Sequence, residues 1–96
     1  MTKIRWTDRA ARDLQDQHAW LMQQDKGVAE LMAKEVHVAL DRMAGRVDIG
    51  RPSRYGRYRE KSIPKWNKLV IYDRDETFLT VIAILDTRML PPEELK

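Results

Sequence analysis

Residues 50 to 62 read GRPSRYGRYREKS, five basic side chains (Arg51, Arg54, Arg57, Arg59 and Lys61) against a single acid, Glu60. A merely solvated surface interleaves signs, because opposite neighbours relieve like-charge repulsion; here the interleaving stops. Such a run attracts phosphates or an acidic protein surface. With Lys65, Lys68 and Arg88 it could also support metal-free RNA cleavage by the substrate's own 2′-hydroxyl. That reaction needs a base, an acid, and cations on the charged pentacoordinate phosphate. Crowded cations lower a lysine's pKa, so Lys61 or Lys68 could exchange the proton while Arg59 and Arg88 grip phosphate in bidentate fashion. The same cations can simply bind, and an edge strand can carry charge only to block aggregation.

Other residue types offer less chemistry. His18 and His37 fall on the apolar stripes of their helices, with no partner one turn away and no Cys in the chain, so both read as structural. Asp73, Asp75 and Glu76 read as a solvated hairpin loop. Tyr55, Tyr58 and Trp66 lie among the cations and could stack on bases, or pack in a core or at its rim. No phosphate-cradling glycine loop precedes a helix, and no metal or cofactor site is expected.

The elements that must carry these residues follow from periodicity. Lys3 to Trp6 read as a short strand, with Thr7 as the N-cap of a helix over about residues 8–23. Ala10, Ala11, Leu14, His18, Leu21 and Met22 form its apolar stripe. A second helix over about 26–44 starts on Asp25, with Gly45 suited to the C′ position. From residue 46 the period falls to two, and strands are expected at about 55–62, 67–72 and 78–86, joined as an antiparallel meander. Strict alternation places Arg57, Arg59 and Lys61 on one face. It places Glu60 on the other, where a core residue is expected; either Glu60 pairs with an arginine or the strand is bulged. The order β-α-α-β-β-β defines an α+β fold, a helical hairpin packed on a small antiparallel sheet. A double-stranded-RNA-binding domain, α-β-β-β-α, is excluded because no helix follows the meander.

Composition bounds the rest. Ninety-six residues, 43% apolar and 34% charged, make one domain (1–96) ending in a short tail, about 91–96, expected to be flexible. Without Cys, and without an apolar run near the roughly 20 residues that span a bilayer, the default is a cytoplasmic protein with no membrane partner. The net charge of +3 is uneven: residues 1–45 sum to zero, 46–68 to +6 and 69–96 to −3.

Three segments carry a resemblance. IRWTDRAARDL at the N-terminus, GRPSRYGRYREKSIP in the middle and KLVIYDRDETFLTVIAILDTR near the end together resemble the RelE/ParE superfamily of bacterial toxins from type II toxin-antitoxin pairs. The resemblance spans nearly the whole chain and implies a cytoplasmic, growth-arresting toxin held by a cognate antitoxin whose C-terminal segment wraps it. It allows two mechanisms. ParE-like members resemble inhibitors that bind DNA gyrase without chemistry, and here Arg51, Arg54, Arg57, Arg59, Lys61, Lys65 and Arg88 would meet the target. RelE-like members resemble ribosome-dependent endoribonucleases that cut mRNA, and their catalytic positions would fall on Arg59, Lys61, Lys68 and Arg88. The Arg59-Glu60 pair and the ending VIAILDTR resemble the ParE branch more closely, although Asp86 stands where ParE relatives often carry a histidine. The tail MLPPEELK offers no Tyr or His of the RelE-like kind.

Overall fold

The computed structural model describes residues 2–46 and 50–89. Strand β1 (Lys3–Trp6) leads into α1 (Asp8–Gln24), and α2 (Lys26–Ala44) follows after one residue. Each helix begins on a side-chain cap. Thr7 Oγ1 accepts from Ala10 N at 3.0 Å, and Asp25 Oδ1 accepts from Val28 N at 3.1 Å. The C-terminus of α2 departs from expectation: Gly45 stays right-handed at φ −82° rather than turning left-handed. Arg74 caps this end instead: its guanidinium donates to Ala44 O, to Arg46 O just beyond the helix, and to Met43 O, which also accepts from Arg46 N.

The remaining strands are β2 (Arg51–Pro52), β3 (Arg59–Ile63), β4 (Lys68–Arg74) and β5 (Phe78–Asp86). They form one five-stranded sheet in the order β1-β5-β4-β3-β2. The meander is antiparallel as read, while β1 joins β5 in parallel, Ile4 beside Leu79 and Trp6 beside Val81, so the sheet is mixed. The strand expected from residue 55 starts only at Arg59, because residues 54–57 form a turn with Gly56 at φ 67°. Asn67, expected inside the next strand, is left-handed at φ 53° and closes a short helical turn, Pro64–Trp66, before β4.

The sheet has two covered faces. On one, Ala10, Leu14, Met32, Val36, Leu40 and Met43 of the helices pack on Val70, Tyr72, Leu79, Val81 and Ile84. On the other, Tyr55 folds back over Leu69, Ile71, Ala83 and Leu85. A bulge in β5 makes both faces apolar. Tyr72 pairs with Val81 and Ile71 with Ala83, so Ile82 is the extra residue and the inward parity changes from odd to even positions. Past this bulge α1 does the work of a neighbouring strand. Thr7 Oγ1 donates to Ile82 O at 2.8 Å, Gln17 Nε2 donates to Ile84 O at 2.7 Å, and Asp13 accepts from Ile84 N at 3.0 Å.

Candidate functional site

The register sorts the basic residues into groups. Arg59 lies opposite Tyr72 and Lys61 opposite Val70, so both project from the face that the helices cover further along the sheet. Arg57 does not join them as expected; it is exposed in the turn before the strand, and Arg54 is exposed in the same turn. Arg51 lies opposite Glu60 on the other face.

Glu60 explains that split. Only 2% exposed, its carboxylate accepts from Arg51 Nε at 3.1 Å, Arg51 Nη2 at 2.9 Å and Arg54 N at 3.2 Å. The arginine-pairing alternative therefore holds, and β3 needs no bulge. Burial works against the ionised carboxyl, but these bonds and one with Ser53 outweigh it and hold its pKa below the ordinary glutamate value. One acid thus ties down the loop that carries Tyr55 over the second core. Gly50 closes the same corner: at φ 91°, any Cβ would lie 2.9 Å from Glu60 O and collide with the Tyr72 hydroxyl.

A second group gathers at the opposite end of β4. Ile63 and Asp86 flank Lys68 in the register, so Lys68 continues the face of Lys61. The residue is 6% exposed, and burial lowers its pKa, partly offset by the charge of Asp86 and reinforced by that of Arg88. Arg88 is held through Nε and Nη2 by both oxygens of Asp86, at 3.1 and 2.8 Å. Those bonds lower the Asp86 pKa and raise that of Arg88. Lys65 pairs with Glu35 of α2 at 2.8 Å, and Trp66 Nε1 donates to the same carboxylate at 3.1 Å; the bond from Lys65, then that from Trp66, lowers the Glu35 pKa.

Lys65, Trp66, Lys68 and Arg88 line one cleft of about 920 Å³, closed on the other side by Trp20 and Leu21 of α1. Sequence reasoning found its cations and placed Leu21 on the apolar stripe of α1, but missed Trp20. Trp20 falls outside that stripe; a large apolar residue off the stripe was the available signal in the sequence, and the structure leaves Trp20 56% exposed. The three aromatics flagged among the cations serve packing: Tyr55 is buried, Tyr58 packs against the second core, and Trp66 borders the first. His18 and His37 line a separate apolar hollow between the helices, with the His37 ring 5.6 Å from that of Trp6. In the acidic hairpin, Asp75 accepts from Thr77 N and Phe78 N; these bonds lower its pKa, and it serves the turn. The tail at 91–96 lies outside the described residues.

A family model described as "ParE toxin of type II toxin-antitoxin system, parDE" matches residues 4–91. The chain belongs to the ParE toxin family. A solved structure titled "Chromosomal ParDE TA system from P. aeruginosa" is similar in fold to this ParE-family chain, with a TM-score of 0.69 at 21% identity over 88% of this chain and 94% of that one. No curated protein sequence matches significantly. Membership in the ParE branch implies a cognate antitoxin as partner.

Proposed function

We propose that this ParE-family chain arrests bacterial growth from the cytoplasm by binding DNA gyrase and holding it inactive, with no reaction of its own, and that its antitoxin neutralises it by binding. The dispersion of the cations carries this reading. Arg59 and Lys68 sit four residues apart along the register, roughly 13 Å at the usual strand rise. Three of the four catalytic candidates are also committed or buried: Arg59 donates to Gly50 O at 3.0 Å, Arg88 is tied to Asp86, and Lys68 lies inside the cleft. A surface with exposed Arg54, Arg57 and Arg59 suits an acidic target better than one reacting phosphate does.

The mRNA endonuclease alternative has one observation in its favour, the lowered pKa of Lys68, which suits an acid or a base. Induction without the antitoxin separates the two. On the gyrase reading, labelled thymidine uptake falls before labelled methionine uptake, and the purified protein inhibits gyrase supercoiling. Methionine uptake falling first, with cleaved mRNA, overturns it. Arg59→Ala with Lys61→Ala should abolish the arrest at an unchanged melting temperature; a double variant that still arrests growth removes the basic strand from the mechanism.

A further inference from the structure

The hairpin of β2 and β3 ends the sheet in a row of cations. Ser53 N donates to Tyr58 O at 2.8 Å and closes a turn in which Arg54 and Arg57 are exposed. Arg59 and Lys61 follow on β3, two residues apart on one face. Arg54 spends only its backbone N–H, on Glu60. Among the described residues its side chain and those of Arg57 and Lys61 have no partner. Arg59 gives one guanidinium N–H to Gly50 O, which aims the group and leaves its other donors free. Glu60, the single acid of residues 50 to 62, is buried and bonded to the Arg51 side chain rather than to any of these four.

The surroundings of the row narrow what it can hold. A protein partner needs an apolar anchor at the centre of its interface. The large apolar side chains of residues 50 to 62 are Tyr55 and Tyr58, and both are turned to the second core. A single-stranded nucleic acid needs exposed aromatics for its bases to stack on, and the same two tyrosines are the ones withheld. An added strand needs a free edge, whereas the sheet ends here on the two residues of β2, one of them Pro52 without an N–H. A duplex asks for none of these, because its bases are stacked inside and its charge lies outside. Arg59 and Lys61 are also about 7 Å apart at the usual strand rise, two steps of about 3.4 Å along one strand of a DNA duplex.

We propose that Arg54, Arg57, Arg59 and Lys61 grip the phosphate backbone of double-stranded DNA. The inference rests on the gyrase reading, which supplies the DNA: the toxin holds the duplex on which gyrase acts as well as the enzyme. Phosphate contacts carry no base information, so the grip is independent of sequence.

The test is fluorescence anisotropy of a labelled DNA duplex titrated with the purified protein, free of antitoxin, at a series of salt concentrations. Four phosphate contacts should make log affinity fall with log salt at a slope of about −3.6, a loss of about 100-fold between roughly 50 and 200 mM. Arg54→Ala with Arg57→Ala should halve that slope at an unchanged melting temperature, since both side chains are exposed. Arg54→Lys with Arg57→Lys should keep it, because an ammonium also binds phosphate as a point charge. Lys3→Ala with Lys26→Ala removes the same charge from exposed positions outside the row and should leave the slope as it was. The assignment is overturned if the duplex does not bind, if the Lys3 and Lys26 pair lowers the slope as much as the Arg54 and Arg57 pair, or if a single strand of the same length binds more tightly than the duplex. Inhibition of gyrase supercoiling is scored separately. A protein that inhibits gyrase without this salt-dependent grip overturns only the DNA contact, and one that grips DNA without inhibiting gyrase overturns only the gyrase reading.

Discussion

At the scale of single residues, a carboxylate can stay ionised at 2% exposure in β3 because donors from Arg51 and Arg54 converge on Glu60. Those donors come from residues six and nine positions away, so the pair is local in sequence and geometrically demanding. Glu60→Gln removes the charge from both arginine bonds and should cost about 2 kcal/mol, measured by denaturant unfolding. The pH dependence follows from the direction of its shift. The folded pKa lies below the unfolded value, so its stabilisation is complete above the ordinary glutamate pKa and is lost as pH falls through the lower, folded one. The acid limb of the stability profile should therefore flatten in Glu60→Gln, and an unchanged limb would show that other carboxylates dominate it. The reading of β3 had reached the choice between an arginine partner and a bulge, because both resolve an acid on a core face. Choosing between them required the position of Arg51.

At the scale of elements, α1 and α2 were legible because each carries its own evidence: an apolar stripe, a side-chain cap and a one-residue connection. The end of α2 was not. Gly45 is a fitting residue for a left-handed stop, yet Arg74, 30 and 31 residues further along the chain, donates to the Ala44 and Met43 carbonyls of the last turn, and also to Arg46 O just beyond it. Its fourth bond, to Thr2 Oγ1 at 3.1 Å, ties the start of the chain to the same point. A cation on the C-terminal carbonyls also opposes the negative end of the helix dipole. Arg74→Ala should lower stability by about 2 kcal/mol and speed amide exchange first in the last turn of α2. Arg74→Lys should recover only part, since an ammonium cannot reproduce the planar fork.

At the scale of the whole molecule, the sheet separates two apolar clusters of unequal cover: a helical hairpin on one side, and on the other a loop whose anchor is Tyr55. Tyr55→Ala should therefore cost about 3–4 kcal/mol, in line with large-to-small core changes, and should increase dye binding by exposing Leu69, Ile71 and Leu85. A variant of parental stability would show that the loop is not what protects that face. The same two-sided design scatters the basic strand, because alternation sends Arg59 and Lys61 to one face while Arg51 is drawn to the other by Glu60. By itself the sequence determined the two helices, the meander, the concentration of positive charge between residues 46 and 68, and, through three quoted segments, the family. These are properties of neighbours along the chain, where period, caps and composition act within a turn or a strand. Only the tertiary structure decided that β1 lies parallel to β5, that Ile82 is bulged, that Arg74 caps α2, and that Lys68 is enclosed beside Trp20 and Trp66. Each depends on groups far apart in sequence being brought together by packing, and no local periodicity encodes which distant partner a strand edge, a carbonyl or a cation will meet.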